Sequence, residues 1–195
     1  MNIIVFFNGW GMGEEVLKEF KNQNKYEILN VSFPYKIDKN KLKKYKDIIF
    51  IGWSFGVYYM CKFLNDNSDI EYKKVIAING TPEIIGKYGI MEKIYNLTLK
   101  GMNEENLEKF YINMDCELRP QNKDIEDLIY ELRYLRENYI PQENKITKGI
   151  VSTNDKIIKS KNQIKYYESK DIDLKKVDGG HYIFPQLNSW EDIIK

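Results

Sequence analysis

The segment Gly52-Trp53-Ser54-Phe55-Gly56 contains a serine between two glycines and follows an apolar run. Residues 57–64, which come next, are mostly apolar and have the composition of a buried helix. A G-x-S-x-G pattern between a strand and a helix is typical of a nucleophile elbow, a tight turn that exposes the serine hydroxyl at the N-terminus of the helix. The pattern therefore predicts that Ser54 is a nucleophile and not merely a turn residue.

A serine hydroxyl is a weak nucleophile near neutral pH, so it needs a neighbouring base, which is usually a histidine. The sequence has a single histidine, His181, in the segment Gly179-Gly180-His181. A lone histidine is often only a surface or core residue. His181, however, closely follows the last predicted strand, where enzymes with this elbow place their base. Its position favours His181 as the general base.

An acidic residue must orient the imidazole, and two aspartates are candidates. Asp155 follows the penultimate predicted strand, whereas Asp178 lies three residues before His181. With Asp155, the chain order is Ser, Asp, His, which is that of α/β hydrolases. A carboxylate at the end of a neighbouring strand can also face the imidazole Nδ1 across the crevice. The sequence therefore favours Asp155, with Asp178 as the alternative and a turn or helix cap as the non-catalytic interpretation.

Attack on an ester carbonyl creates an oxyanion, which two backbone N–H groups commonly stabilise. One belongs to the residue after the nucleophile, here Phe55. The other is expected after the first strand, in Asn8-Gly9-Trp10-Gly11-Met12-Gly13, where the Trp10 N–H is the natural candidate. A dinucleotide-binding loop is the alternative for this turn. The spacing is GxGxG instead of GxGxxG, and the next strand ends in Asn30-Val31-Ser32 without an acid for a ribose, so this alternative fits poorly.

The elements that must position these residues are short apolar strands alternating with helical stretches. Six strands are predicted, at residues 2–7, 27–32, 47–53, 74–79, 146–152 and 173–177. Runs that are apolar on both faces and separated by helices indicate a mainly parallel sheet covered on both sides. We therefore expect the α/β class, with an α/β-hydrolase fold in a single domain spanning residues 1–195.

Residues 81–144 separate the fourth and fifth predicted strands and are too long for an ordinary connection. The last part of this segment predicts a helix, because apolar residues recur at spacings of three and four. The stripe consists of Ile125, Leu128, Ile129, Leu132 and Leu135. We expect the segment to form a small helical cap.

Composition excludes several classes of function. Lys and Arg number 30 and Asp and Glu 29, a formal net charge of +1 that argues against binding to nucleic acid or an anionic membrane. Apolar runs fall short of the roughly 20 residues of a membrane span, and no signal-peptide pattern is present, so we expect a cytoplasmic protein. Cys61 and Cys116 lack the spacing of metal ligands or of a disulfide framework. We expect neither a metal nor an organic cofactor.

Four segments together resemble the BioG family of pimeloyl-[acyl-carrier protein] methyl ester esterases of biotin synthesis, within the α/β-hydrolase superfamily. The elbow is shared by many esterases, whereas the Asn-Gly-Trp-Gly opening, where most hydrolases have His-Gly, is more selective. The resemblance covers nearly the whole chain. The resemblance implies that the protein hydrolyses the methyl ester of a seven-carbon diacid whose other end is bound to acyl carrier protein as a thioester. Acyl carrier protein is therefore the expected partner. The four segments are Asn8-Gly9-Trp10-Gly11-Met12, Gly52-Trp53-Ser54-Phe55-Gly56, the loop of Asp155, and Gly179-Gly180-His181.

A carrier protein has an acidic surface, and the three arginines of the sequence, Arg119, Arg133 and Arg136, all lie in residues 81–144. On a helical wheel Arg136 falls inside the apolar stripe and Arg133 at its edge. Contact with the carrier or with its phosphopantetheine phosphate is one interpretation, and a snorkelling side chain or a cap-to-core ion pair is the other. Residues 81–144 carry 8 Lys and Arg against 13 Asp and Glu, so the segment is not a basic patch.

Two alternatives to this function remain open from the sequence. A general short-chain carboxylesterase or a thioesterase would use the same three residues, and nothing in the triad excludes it. A non-catalytic α/β-hydrolase scaffold that acts as a binding module is the other, although a complete triad argues against it.

Overall fold

The computed structural model describes residues 2–20, 25–120, 123–187 and 189–195. Within these ranges, six strands form one parallel sheet in the order β2-β1-β3-β4-β5-β6. The predicted α/β class with a parallel sheet is confirmed. The strands are β1 (Asn2–Phe7), β2 (Glu27–Val31), β3 (Asp47–Trp53), β4 (Lys74–Ile78), β5 (Lys148–Ser152) and β6 (Asp173–Val177).

Seven α-helices lie in the same described ranges, together with two short 3-10 helices, Glu14–Glu19 and Lys39–Leu42. Three of the α-helices lie between β4 and β5, in residues 81–144, which we call the cap segment. The helices are α1 (Phe55–Asp66), α2 (Glu92–Gly101), α3 (Glu104–Asn113), α4 (Ile125–Asn138), α5 (Ser160–Ser169), α6 (Phe184–Leu187) and α7 (Trp190–Ile194).

The central strands are buried on both faces, as their apolar sequences require. In β1, Ile3, Val5 and Phe7 belong to one core cluster, and the alternating residues Ile4 and Phe6 belong to the cluster on the opposite face. Each of these five residues is at most 2% exposed. The sheet is therefore a rigid layer from which the loops at its carboxyl edge project.

The strand order places two of these loops side by side. After β1 the chain moves outward to β2 and then returns to β3 on the other side of β1. Ligands of open parallel sheets bind outside the carboxyl ends of strands at such a switch point. The loop of residues 8–13, which we call the oxyanion loop, follows β1, and the predicted elbow follows β3. Both candidate parts of the site therefore begin at adjacent strand ends.

The predicted helix of the cap segment is α4. Its N-cap residue is Asp124, whose side chain accepts a hydrogen bond from the Asp127 N–H. Leu128, Leu132 and Leu135 are buried, so the predicted apolar stripe faces the protein interior. Among the helices of the described ranges, none is long and apolar enough to span a membrane.

Candidate active site

The elbow between β3 and α1 holds Ser54 in a strained conformation. Ser54 has φ 55° and ψ −122°, which is rarely adopted by a residue with a side chain. The glycines on either side permit close packing: a Cβ on Gly52 would lie 2.8 Å from the Cα of Val57, and one on Gly56 would overlap the carbonyl oxygen of Phe7 in β1. Gly52 therefore lets β3 pack closely against the start of α1, and Gly56 lets α1 pack closely against β1.

Replacing Gly56 with Ala tests this packing. The added methyl group would collide with backbone atoms of β1, which cannot move aside as a side chain can. Overpacking costs about 1–3 kcal/mol, and we expect Tm to fall by about 5 °C in a thermal melt followed by circular dichroism. Gly101→Ala is the control, because a Cβ there meets only the Asn106 side chain, at 3.8 Å. Equal melting temperatures for the two variants would contradict the account of the elbow.

His181 lies directly beside the serine. Its Nε2 is 2.9 Å from Ser54 Oγ, and its Nδ1 is 2.8 Å from Asp155 Oδ2. His181 is 1% exposed, Ser54 4% and Asp155 6%, so water is largely excluded from the three side chains. Because an ionised carboxylate only accepts hydrogen bonds, Nδ1 must carry the proton of the neutral imidazole. Nε2 is then free to accept the proton of the serine hydroxyl.

Asp155 is held by donors on both of its oxygens. Oδ1 accepts the N–H groups of Ile157 at 2.8 Å and Ile158 at 2.9 Å. Oδ2 accepts from Gln163 Nε2 at 2.9 Å as well as from His181. The carboxylate is therefore fixed in the orientation that faces the imidazole.

The alternative aspartate lies elsewhere. Asp178 is exposed, and its Oδ1 accepts hydrogen bonds from Thr153 Oγ1 at 2.9 Å and Asn154 Nδ2 at 3.4 Å. These bonds join the loops after β5 and β6. Of the two sequence candidates, the structure thus brings Asp155 to His181 and gives Asp178 polar partners in the loop after β5.

Asn79 and Trp53 hold the backbone of His181 and were not singled out from the sequence. Asn79 Nδ2 donates to the His181 carbonyl at 2.8 Å, and its Oδ1 accepts the Ser152 N–H at 2.8 Å. Trp53 Nε1 donates to the same carbonyl at 3.1 Å. The strand β4 was predicted to end at residue 79, but it ends at Ile78. Asn79 leaves the extended conformation, with φ 45°, and makes these contacts instead. An Asn-Gly pair after a strand was the available signal.

The oxyanion loop passes next to the elbow. A Cβ on Gly9 would lie 3.0 Å from the Trp53 ring and 3.4 Å from the Cβ of Ser54, so the loop packs closely on the elbow. The Asn8 side chain closes the loop by donating to the carbonyl of Gly13 at 2.6 Å. Phe55 is the first residue of α1, and the first N–H groups of a helix have no partner within it. Trp10 is 4% exposed, and its ring lies 6.5 Å from that of Phe55.

A cavity of about 410 Å³ opens between the oxyanion loop and the cap segment. Aromatic and aliphatic side chains form most of its wall, and Lys109 and Lys156 are the charged residues that line it. Both candidate oxyanion residues, Trp10 and Phe55, line it. The cavity therefore reaches Phe55, the residue after Ser54, and its wall suits an apolar group.

The end of α3 contacts the loop that carries the histidine. The Tyr182 N–H donates to the carbonyl of Met114 at 2.9 Å, and the Asp115 carboxylate packs against Gly180. Lys156, the residue after Asp155, lies 3.8 Å from the same carboxylate. The cap segment therefore supports the His181 loop as well as covering the cavity.

The cap arginines differ in their surroundings. Arg136, a third exposed, pairs with Glu92 and donates from Nε to Asn96 Oδ1 at 2.8 Å, which joins α4 to α2. This is an ion pair within the cap segment and not the cap-to-core pair considered from the sequence. Arg133 is exposed, and no ion pair forms between it and another described residue. Arg133 is therefore the arginine that is free to meet a partner.

The structure joins Ser54, His181 and Asp155 in one hydrogen-bonded chain, close to a predominantly apolar cavity. A family model described as "Pimeloyl-ACP methyl esterase BioG" matches residues 1–193. The chain belongs to the BioG family. The family expectation from the sequence is thereby confirmed.

A curated relative of this chain is the malonyl-[acyl-carrier protein] O-methyltransferase of Bacteroides fragilis, 32% identical over 198 residues. The match includes 92% of this chain but only 39% of the relative. Two solved structures share the fold. BioG of Haemophilus influenzae has a TM-score of 0.87 at 21% identity and covers 100% of this chain and 95% of its own. A putative aryl esterase of Burkholderia cenocepacia has a TM-score of 0.64 at 13% identity and covers 95% and 85%. The predicted α/β-hydrolase fold is confirmed.

Proposed function

We propose that this protein is a serine esterase that hydrolyses the methyl ester of pimeloyl-acyl-carrier protein. The observation that carries the proposal is the buried chain of hydrogen bonds from Ser54 through His181 to Asp155 in a member of the BioG family. The roles of the three residues follow from their chemistry. Ser54 is the nucleophile, His181 the base and Asp155 the group that fixes the imidazole.

In the first half of the reaction, Ser54 Oγ forms a bond to the ester carbonyl carbon while His181 Nε2 accepts the hydroxyl proton. Negative charge develops on the carbonyl oxygen and is stabilised by the backbone N–H groups of Trp10 and Phe55. The C–O bond to the methoxy group then breaks, and His181 returns the proton to form methanol. The product is an acyl group esterified to Ser54.

In the second half, water attacks the acyl-enzyme with His181 again as base. The proton passes back to Ser54 Oγ as its bond to carbon breaks, which restores the serine and releases the carboxylic acid. Neither half requires a metal or an organic cofactor. Among the described residues, no group of three or more His, Cys, Asp or Glu side chains is placed to hold a metal ion.

The wall of the cavity supports an aliphatic acyl substrate. Leu132, Tyr95 and Met102 supply apolar surface. A seven-carbon chain could lie in the cavity with its methyl ester at Ser54 and its thioester directed toward the carrier. Acyl carrier protein is the proposed partner, in line with the name of the family and that of the Bacteroides relative.

The methyltransferase name of that relative does not contradict the proposal. This chain matches 39% of the relative, so most of the relative lies outside the match. We infer that methyl transfer resides in the unmatched part. A methyltransferase that esterifies a carrier-bound carboxylate is the class of enzyme that would supply the substrate proposed here.

Labelling with a fluorophosphonate probe tests the proposed nucleophile and separates an enzyme from a binding module. The probe forms a stable phosphonate ester with an activated serine. We expect one probe per chain, located at Ser54 by tandem mass spectrometry, and no labelling of Ser54→Ala. Labelling of another residue, or of none, would contradict the assignment.

Arg133 provides a test of the proposed carrier contact. A charge-assisted contact contributes about 1.5–3 kcal/mol, so Arg133→Gln should raise KM for the carrier-linked ester by about ten- to a hundredfold. Hydrolysis of dimethyl pimelate should stay within about twofold of wild type, since Arg133 is distant from the triad in the chain and exposed. Added salt should weaken the carrier contact.

Lys46→Gln is the matched control for Arg133→Gln, because Lys46 is exposed but precedes β3 at the opposite edge of the sheet. Arg136→Gln is less specific, since it would also release α2 from α4. A KM for the carrier-linked ester that is equal in Arg133→Gln and Lys46→Gln would show that Arg133 does not contact the carrier.

A further inference from the structure

Trp10 joins the oxyanion loop to the cap segment through its side chain. The residue is buried, and its indole Nε1 donates a hydrogen bond to the backbone carbonyl of Leu128, in α4, at 3.0 Å. An indole nitrogen is only a donor, and it usually finds an acceptor when it is buried. The bond spans 118 positions of the chain, so it connects two parts of the protein that are distant in the sequence.

Two more contacts tie Trp10 and its neighbour to the cap segment. A Cβ on Gly11 would lie 3.2 Å from Leu128 Cδ2, so the backbone that follows Trp10 packs closely on α4. The indole ring packs edge-on against the ring of Phe110 in α3, with the ring centroids 5.0 Å apart. Its centroid is 6.5 Å from that of Phe55, the residue after the nucleophile. The indole therefore lies between two cap helices and the elbow.

Residues 9–12 form a turn in which the backbone N–H of Trp10 takes no part in the turn's own hydrogen bond. The Met12 N–H donates to the Gly9 carbonyl at 3.2 Å, and Gly11, the third residue, has φ +72°, as in a type II turn. That hydrogen bond joins the first and fourth residues of the turn, whereas Trp10 is the second. The direction of the Trp10 N–H therefore depends on how the whole turn is held.

The oxyanion loop is held from two sides. On the side of the sheet, the Asn8 N–H donates to the carbonyl of Val31 in β2 at 2.8 Å, and Tyr35 Oη donates to the Asn8 carbonyl at 3.0 Å. On the side of the cap segment, the Trp10 indole is bonded to Leu128. The sheet thus fixes the start of the loop, and α4 fixes the turn that follows.

We propose that the Trp10 indole is a positioning group, which fixes the turn of residues 9–12 on α4 so that the Trp10 N–H stays directed at the carbonyl oxygen of the substrate. Because the acceptor, Leu128, belongs to the cap segment, this oxyanion donor is in place only while α4 is docked on the loop. The inference rests on the proposed function, in which the Trp10 N–H stabilises the oxyanion. A displaced donor loses most of its effect in the transition state, while substrate binding changes little.

Trp10→Phe keeps an aromatic ring and the backbone N–H but removes the side-chain donor. With p-nitrophenyl butyrate, we expect kcat to fall by about tenfold or more and KM to stay within about threefold of wild type. Glu92→Gln is the matched control, because it weakens the ion pair with Arg136 that joins α2 to α4 and leaves the oxyanion loop untouched. Its kcat with this carrier-free ester should stay within about twofold of wild type.

A second variant at position 10 separates the hydrogen bond from the ring. In 3-benzothienylalanine, introduced by suppression of an amber codon, sulfur takes the place of the indole N–H, so the shape of the side chain is kept and the donor is lost. This variant should show a fall in kcat similar to that of Trp10→Phe. It also provides the test if Trp10→Phe fails to fold by circular dichroism.

A trifluoromethyl ketone inhibitor provides a readout that a purely structural role would not change. Its hemiketal with Ser54 carries an oxyanion, so its Ki should rise in both variants of Trp10 in proportion to the fall in kcat/KM. The Ki of Glu92→Gln for the same inhibitor should equal that of wild type.

Three results would overturn the role of the indole alone. A kcat within twofold of wild type in the folded benzothienylalanine variant would show that the hydrogen bond is not needed. An equal fall in Trp10→Phe and Glu92→Gln would indicate a general loosening of the cap segment. An unchanged Ki for the trifluoromethyl ketone would place the loss outside the oxyanion contact. A wild-type protein that hydrolyses no ester would instead contradict the proposed function, and the role of the indole with it.

Discussion

Ser54→Ala and His181→Ala should each lower kcat by about 10³- to 10⁶-fold, because members of a triad act as a unit and the loss of one disables the others. Without Oγ no acyl-enzyme forms, and without the imidazole the hydroxyl 2.9 Å away has no base to accept its proton. Initial rates with p-nitrophenyl butyrate measure the effect. The double variant should be no worse than the poorer single variant.

Both variants should remain folded, since Ser54→Ala removes one oxygen and the backbone of His181 keeps its bonds from Asn79 and Trp53. A thermal melt by circular dichroism is the control for folding. Retention of a tenth of wild-type activity by either folded variant would be incompatible with the proposed mechanism.

Asp155→Asn should lower kcat by about 10³- to 10⁴-fold, and Asp178→Asn by less than about threefold. An asparagine amide at position 155 would donate to Nδ1 of His181, which moves the imidazole proton to Nε2 and blocks acceptance from Ser54. Asp178 contacts Thr153 and Asn154 instead of the imidazole. The two substitutions make the same chemical change, so each is the control for the other.

The ranking of these two variants decides which aspartate acts with His181. A severe loss in Asp178→Asn together with a mild one in Asp155→Asn would move the acidic role to Asp178. Similar mild losses would show that neither carboxylate orients the base.

The strands and the order of the site residues could be predicted because both depend on local sequence. The strands β1 and β3 have their predicted bounds, since short apolar runs end at glycine-rich turns. The strands β2 and β4 end one residue earlier than predicted, and β5 begins two residues later. At Asn79 the reason is tertiary: its backbone turns to bond Ser152 and His181, which are distant in the chain.

The cap segment was harder to predict because its faces are determined by what they contact. The helical wheel placed Arg136 inside the apolar stripe. In the structure Glu131 is buried and pairs with Lys123, while Arg136 is partly exposed and pairs with Glu92. The apolar pattern locates α4, but it cannot show that the helix packs on α2 at one side and on a glycine-rich loop at another.

The partners of the site residues were also beyond local sequence. Gln163 donates to Asp155 from α5, and nothing in its neighbourhood in the sequence distinguishes it from a surface glutamine. Its contribution depends on the turn after β5, which brings α5 back over the carboxylate. Residue type and chain order thus indicated the chemistry, whereas the groups that orient it required the structure.

Release of methanol from the methyl ester of pimeloyl-acyl-carrier protein is the most direct test of the proposed function. We expect one methanol per ester cleaved, a free carboxylate on the intact carrier thioester, a higher kcat/KM than with dimethyl pimelate, and no reaction with Ser54→Ala. Mass spectrometry of the carrier distinguishes the two bonds that could break. Cleavage of the thioester instead, which would leave the carrier thiol and monomethyl pimelate, or the absence of methanol, would contradict the account.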